Sequence, residues 1–331
     1  MTAPGRIEFR DVPAPTPGAG EVLLRIKRIG VCGSDVHVYH GRHPYTSYPV
    51  VQGHEFSAVV EDPGGSGLAA GSRVTALPQV TCGRCPPCRR GDDHICDALK
   101  VEGFQAPGVA QELFAVPAER VVPLPESFSL EQGALVEPAA VAVHAVARAG
   151  VVAGRNVAVM GAGPIGNLVA QAARAAGARV LAGDLSGYRL DVARRCGIGH
   201  VFNAGETSLG AAVAEAFGEA GLDVGFDCAG ATASVGALVE TVGKGGRIVV
   251  VAVFGCRPEV DLGLVQDREL TIAGTLMYRR EDYERAIEAV AAGRIVTDPL
   301  ISRHFAFDDY AAAYRFIDAA GDQAMKVFID L

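Results

Sequence analysis

Residues 157–184, V-A-V-M-G-A-G-P-I-G-N-L-V-A-Q-A-A-R-A-A-G-A-R-V-L-A-G-D, decide the fold of the chain's second half. The apolar run at 157–160 predicts a buried strand, and Gly161-Ala162-Gly163-Pro164-Ile165-Gly166 a tight turn. A small-residue helix is expected over 167–176, stopped by Gly177, with a second strand over 178–182. Asp184 closes the stretch, 18 residues beyond Gly166. Each part suits a dinucleotide. Gly161 makes the turn, Gly163 admits the pyrophosphate, and Gly166 lets helix and strand approach. The helix N-terminus offers free N–H groups to phosphate, and Asp184 can accept both ribose hydroxyls.

Outward from this stretch, apolar strands alternate with helical segments: 200–202, 224–228, 247–253 and 270–274 follow as strands. That βαβ alternation predicts a parallel sheet with helices on both faces over residues 141–296. The texture before it differs. Strand-like pieces at 21–27, 56–61, 73–76, 112–116 and 121–123, split by Gly and Pro, predict a β-rich domain. Ser129 with Gln132 reads as a capping box opening one or two helices over 131–149. A strand at 301–307, a helix at 308–318 and a strand at 326–330 return to the first domain, giving it residues 1–140 and 297–331.

The chain has 331 residues, 49% hydrophobic and 21% charged, which suits two ordinary globular domains. A net charge of −8 with scattered arginines argues against a nucleic-acid partner. No apolar run reaches membrane-spanning length and the opening MTAPGRIEFRD lacks a signal-peptide core, so a cytoplasmic protein with no membrane partner is expected.

The eight cysteines would then be reduced, so their clustering points to metal before disulfides. Cys82, Cys85, Cys88 and Cys96 have the spacing C-x2-C-x2-C-x7-C, in a lobe at 80–98. Four thiolates on a tight loop suit a closed tetrahedral zinc with a structural role, worth on the order of 10 kcal/mol to the local fold. Cys32 and His54 offer two of the three protein ligands that an open, catalytic zinc needs. Glu137, an acid inside an apolar stretch, is the best candidate for the third. Read alone, His54 would be a core histidine and Glu55 a surface or supporting carboxylate. Cys196, Cys228 and Cys256 read as small buried hydrophobes.

V-C-G-S-D-V-H at 31–37, G-H-E at 53–55, the four-cysteine lobe, E-P at 137–138, G-A-G-P-I-G at 161–166 and D-C-A-G at 227–230 together resemble the zinc-dependent medium-chain dehydrogenase/reductase family. The nearest likeness is to its sorbitol, polyol and threonine dehydrogenases, which carry a carboxylate before proline. The resemblance implies an α/β protein: a GroES-like β-rich catalytic domain plus a Rossmann doubly wound cofactor domain.

It also implies two zinc ions per chain. Cys32, His54 and Glu137 match the catalytic ligands, and Glu55 the neighbouring carboxylate that can approach the metal. Ser34 matches the hydroxyl that takes the substrate proton, and His37 the relay to solvent. Asp184 and Arg189 match the adenosine-side residues, and the loop holding Val253 lies where the family grips the nicotinamide. Met277-Tyr278 stands where sorbitol dehydrogenases carry Arg-Tyr, which argues against sorbitol itself. The chain also starts later than the family's usual first strand.

The implied function is hydride transfer from a secondary alcohol (polyol, cyclitol or amino alcohol) to NAD, giving the ketone. Asp184 would repel a 2′-phosphate, so NAD is expected over NADP. Tyr39, Tyr45 and Tyr278 are candidate hydroxyls for a polar substrate. A threonine 3-dehydrogenase-type enzyme is the runner-up, and a non-catalytic NAD- and zinc-binding protein the alternative from another class. The edge strands at 247–253 and 270–274 predict a homodimer or homotetramer.

Overall fold

A computed structural model describes residues 1–331, which divide into two compact units, 1–137 with 301–331 and 138–300. No helix is long and apolar enough to cross a membrane.

The first unit is built on the strand Glu21–Val31. Its first half alternates, burying Val22, Leu24 and Ile26. Pairing with the strand Glu55–Asp62 slips register between Ile26 and Arg28, and the burial then falls on Ile29 and Val31 instead. A bulge of this kind re-phases a strand, so Ile29 and Val31 join the same core cluster as Val22, Leu24 and Ile26. The seven-stranded sheet runs Ile301–Ala306, Lys326–Asp330, Glu21–Val31, Glu55–Asp62, Arg73–Ala76, Val121–Pro123, with Leu113–Pro117 pairing separately to Glu21–Val31. The chain's last strand, Lys326–Asp330, therefore lies beside its first, with Arg28 opposite Asp330 and Val31 opposite Val327. A two-stranded ribbon, Gln79–Val80 with Lys100–Val101, forms the base of the four-cysteine lobe. The Ser129–Gln132 capping box is present, opening the helix Leu130–Ala134.

The second unit is a six-stranded parallel sheet in the order His200–Asn203, Arg179–Asp184, Asn156–Met160, Leu222–Asp227, Val242–Val250, Thr271–Gly274. This is the doubly wound order, with its reversal between Asn156–Met160 and Leu222–Asp227. The reversal leaves a crevice at the C-terminal ends of those two strands. The Gly161–Gly166 turn leaves one of them and Asp227-Cys228-Ala229-Gly230 leaves the other.

Four expectations need correcting. The strand expected at 247–253 is Val242–Val250, so Val253 lies on the following loop and is 87% exposed. Its start was masked by Gly243, Gly245 and Gly246, yet a Cβ at Gly246 would lie 2.8 Å from the Asp223 carbonyl oxygen, so close packing requires glycine there. Cys256 is exposed, not a buried hydrophobe. Tyr278 is 1% exposed and packs on Tyr283 at 5.1 Å, so its ring belongs to the core of the second unit. Glu55 is not a surface carboxylate but 1% exposed.

Candidate metal centres and dinucleotide cradle

Cys32 follows directly on the strand Glu21–Val31 and forms the N-cap of the short helix Gly33–Tyr39. Its backbone N–H donates to Asp35 Oδ2 at 3.0 Å, which fixes the turn from strand to helix. His54 stands immediately before the strand Glu55–Asp62, behind Gly53 at φ +94°. A Cβ at Gly53 would press on Val109 and Ile29 at 3.0 and 3.1 Å, so only glycine brings the histidine in at this angle. His54, Asp35, Glu55 and Glu137 are all buried.

The ligand atoms of Cys32, His54 and Glu55 lie within 4.8 Å of one another. Glu137, in the first turn of the helix Val136–Arg148, is not part of that trio, but its charge acts on His54. His54 Nδ1 is buried without a hydrogen-bond partner, 3.7 Å from Asp35 Oδ1. Burial presses the imidazole toward its neutral form, yet Asp35, Cys32 and Glu137 outweigh it and raise its proton affinity well above the ordinary. Acidic neighbours that favour a charged imidazole favour a bound cation as well. Thiolate, imidazole and carboxylate form a zinc-type donor set, and the orphaned Nδ1 with the surrounding acids fits one.

Two residues at this centre escaped the sequence reading. Asp35 lies inside the quoted V-C-G-S-D-V-H motif; its carboxylate accepts from the Cys32 N–H and faces His54 Nδ1 at 3.7 Å. Its own backbone carbonyl accepts from Gln52 Nε2, and Gln52 Oε1 in turn accepts from Tyr314. Lys326, from the last strand, donates to both oxygens of Glu55, at 2.6 and 2.8 Å. A lone lysine in an apolar strand is the same kind of signal that singled out Glu137. Of the two relay candidates, Ser34 is half-buried and His37 exposed, three residues apart on the short helix and not hydrogen-bonded to each other. Among the tyrosines, Tyr39 stacks on Tyr314 and Tyr45 is exposed.

In the lobe, all four thiol sulfurs lie within 4.8 Å of one another. Cys85 Sγ is 3.3 Å from Cys88 Sγ and 3.8 Å from Cys96 Sγ. These separations are far beyond a disulfide bond and near the edge, about 3.8 Å, of a tetrahedron with zinc–sulfur bonds of about 2.3 Å. The N–H groups of Cys82 and Ala98 both point at Cys96 Sγ at 3.3 Å. Backbone N–H groups of Arg84 and Cys85 pull the Cys82 thiol down to about 6, whereas desolvation pushes Cys88 up to about 12. The donor set fits a closed zinc site.

In the second unit, a Cβ at Gly166 would lie 1.7 Å from the Gly161 carbonyl oxygen, and one at Gly161 would lie 2.9 Å from Ala229 N. No other residue fits either place. Pro164 opens the helix Pro164–Ala175, with Ile165 in the same first turn. Asp184 accepts from Ala162 N at 2.6 Å and Ser186 N at 2.9 Å, and Arg189 Nη1 lies 3.9 Å from it. Arg189 also borders Gly163, 3.8 Å from where a Cβ would sit. The glycine turn at the start of the helix Pro164–Ala175, with an acid and an arginine at its side, fits a dinucleotide.

Residues 18–126 match the alcohol dehydrogenase GroES-like domain family, and residues 164–292 the zinc-binding dehydrogenase family. The 2-dehydro-3-deoxy-L-galactonate 5-dehydrogenase of Pseudoalteromonas atlantica is 38% identical over 96% of this chain and 93% of its own. An L-threonine 3-dehydrogenase of Rhizobium etli is 34% identical over 91% and 89%. A solved chain from Sinorhizobium meliloti, described as a zinc-binding dehydrogenase bound to NADP, superposes with a TM-score of 0.91 at 31% identity, covering 99% of this chain and 97% of that one.

Proposed function

This chain belongs to the zinc-dependent medium-chain dehydrogenase/reductase family, and we propose that it oxidises a hydroxyl-rich secondary alcohol to the ketone with NAD. The observation that carries the proposal is the convergence of Cys32 and His54 with the buried Glu55 carboxylate within 4.8 Å, and the buried Glu137 close enough for its charge to act on His54. When bound, the metal supplies Lewis-acid polarisation of the substrate oxygen and the nicotinamide accepts the hydride.

The chain's own residues do the rest. Cys32, His54 and Glu137 hold the catalytic zinc, with Glu55 beside it, and Asp35 keeps Cys32 and His54 in place. Oxidation also releases a proton: Ser34 would take it from the substrate hydroxyl, and the exposed His37 would give one up to water, with no direct hydrogen bond joining the two. The cradle Gly161, Gly163, Pro164, Ile165 and Gly166 would hold the pyrophosphate, Asp184 and Arg189 the adenosine ribose, and the loop at Val253 the nicotinamide. Cys82, Cys85, Cys88 and Cys96 hold a second, structural zinc.

Two relatives are named for a sugar acid and for threonine, both polar molecules with a hydroxyl to oxidise. An oxygen ligand in place of a thiolate makes the metal environment harder and adds a hydrogen-bond acceptor, which favours such substrates. A site that pairs with a substrate hydroxyl rejects the analogue lacking it by about 10⁴-fold. Comparing kcat/KM for sugar acids, cyclitols, pentitols, threonine and 2-propanol tests this. A sugar-derived substrate should win, a win for 2-propanol would overturn the reading, and a win for threonine would install the runner-up.

Asp184→Ser should shift the NADP-to-NAD preference at least about tenfold toward NADP, since the carboxylate repels a 2′-phosphate. A parent enzyme that favours NADP would remove the role given to Asp184. A homodimer or homotetramer is expected from the exposed edge strand Thr271–Gly274, and light scattering at micromolar concentration tests it.

A further inference from the structure

The pairing between the strands Glu21–Val31 and Glu55–Asp62 ends at Gly30 opposite Glu55. Cys32 lies beyond that pair on one side and His54 beyond it on the other, so the sheet stops short of both. A side chain continues the connection. Gln52, 2% exposed, donates from Nε2 to the Asp35 carbonyl at 3.2 Å and accepts at Oε1 from the Tyr314 hydroxyl at 2.8 Å. Asp35 belongs to the turn that begins at Cys32, and Gln52 precedes the Gly53-His54 pair. The backbone of Gln52 is fixed as well. Its carbonyl accepts from Ala110 N at 2.8 Å, and a Cβ at Gly108 would lie 2.5 Å from the same oxygen.

Tyr314 is fully buried on the helix Tyr310–Ala320, 262 residues away from Gln52 in sequence. Its ring stacks on Tyr39 with centroids 4.6 Å apart, and Asp318, one turn further along, meets His40 Nε2 at 2.9 Å. The helix Gly33–Tyr39 is therefore gripped near its start through Gln52 and at its end through Tyr314 and Asp318.

We propose that Gln52 and Tyr314 form a strut that sets the spacing of Cys32 and His54, and that both are positioning residues for the metal centre. The proposal rests on reading Cys32 and His54 as metal ligands. Its physical basis is the demand of a buried amide for partners. Shut away from water, Gln52 favours the one arrangement of its three neighbouring segments that satisfies both ends of the amide. Apolar side chains would fill the same space without choosing among nearby arrangements, because hydrophobic burial has no direction. Residues behind the ligands act on a metal through the ligands they orient.

A hydrogen-bonded pair of this kind also allows positioning to be separated from stability. Losing one member leaves the other buried and unpaired, whereas replacing both by apolar groups of similar shape is nearly neutral. The test is therefore a double-mutant cycle with Tyr314→Phe and Gln52→Leu, read by Tm, by chelator competition for zinc and by the visible spectrum of the cobalt-substituted protein. Cys32→Ser supplies the contribution of the four-cysteine lobe for subtraction. Each single variant should lower Tm by about 3 °C and weaken zinc at the Cys32–His54 centre about tenfold, with a changed cobalt spectrum. The double variant should recover Tm to within about 1 °C of the parent, yet keep the tenfold loss of zinc affinity and the changed spectrum.

Zinc affinity that recovers together with Tm in the double variant would reduce the pair to a packing element and overturn the proposal. If Gln52→Leu does not fold, Tyr314→Phe, which removes a single oxygen, still decides: parental zinc affinity and cobalt spectrum in that variant would overturn the proposal too. A parent that binds no cobalt outside the lobe would instead defeat the underlying reading of Cys32 and His54.

Discussion

The two candidate metal centres of the first unit are built in opposite ways. The lobe takes its four sulfurs from a single loop, with the backbone folded so that N–H groups point at the sulfurs. The Cys32–His54–Glu55 centre is assembled by the sheet. Its parts come from the end of the strand Glu21–Val31, the start of Glu55–Asp62 and the last strand Lys326–Asp330, and buried acids surround it. A site made of one loop is complete in itself and closed. One held together by a whole domain can leave a ligand position open, because the geometry does not depend on filling it.

Damage to the two centres should therefore separate cleanly. Cys32→Ser should lower kcat/KM by about a thousandfold or more, the scale of lost metal polarisation, while leaving Tm within about 2 °C of the parent. Cys88→Ser should do the reverse, losing one zinc by elemental analysis and lowering Tm by about 10 °C, since structural zinc binding is folding energy. Full stability and two zinc ions in Cys88→Ser would break the comparison.

Asp35→Asn probes the support of the sheet-built centre. It keeps the shape but weakens the hold on Cys32 N–H and removes the charge that faces His54, and metal affinity should fall about 10- to 100-fold. An unchanged affinity would show that the domain holds the ligands without this brace.

The smallest expected effect is at Glu102, which adjoins the ribbon under the lobe and whose charge also reaches His54. Burial pushes its carboxyl up to about 7 from an ordinary 4.5, despite Arg120 at 2.6 Å. A raised folded value favours the protonated form, so its contribution to stability is fully present below about 4.5 and is lost as pH rises through about 7. Glu102→Gln cannot titrate, so its Tm relative to the parent should climb between pH 4.5 and 7 and then level off. A flat difference across that window would show that Arg120 keeps the acid ionised throughout.

The same contrast explains what was legible in the sequence. The lobe reads from spacing alone, since its sulfurs are neighbours in sequence as in space. The doubly wound sheet reads equally well, because each strand, turn and helix signals itself locally and Gly161 and Gly166 mark contacts that no side chain could survive. The sheet-built centre was only half visible. Cys32, His54 and Asp35 share short motifs, but Lys326 reaches Glu55 through strand pairing that no local pattern encodes. Tyr278 was misread for a related reason: a tyrosine near a motif looks available until tertiary packing encloses it. Cys256 carried no pattern at all, and an isolated cysteine does not announce its exposure.

The pairing of Lys326–Asp330 with the end of Glu21–Val31 also has a consequence in time. The roughly 160 residues of the second unit are translated between the two parts of the first. At about 5–20 residues per second, they delay the closing strand by roughly 8–30 s. A nascent chain can complete its four-cysteine loop early, and its parallel sheet before synthesis ends. The sheet-built centre must wait, with Glu55 lacking its lysine and the edge of Glu21–Val31 exposed. Newborn chains should therefore pass through a state that has its dinucleotide cradle and its lobe but no finished reaction centre, and in that interval the unpaired edge is the surface most open to chaperones or to misassembly.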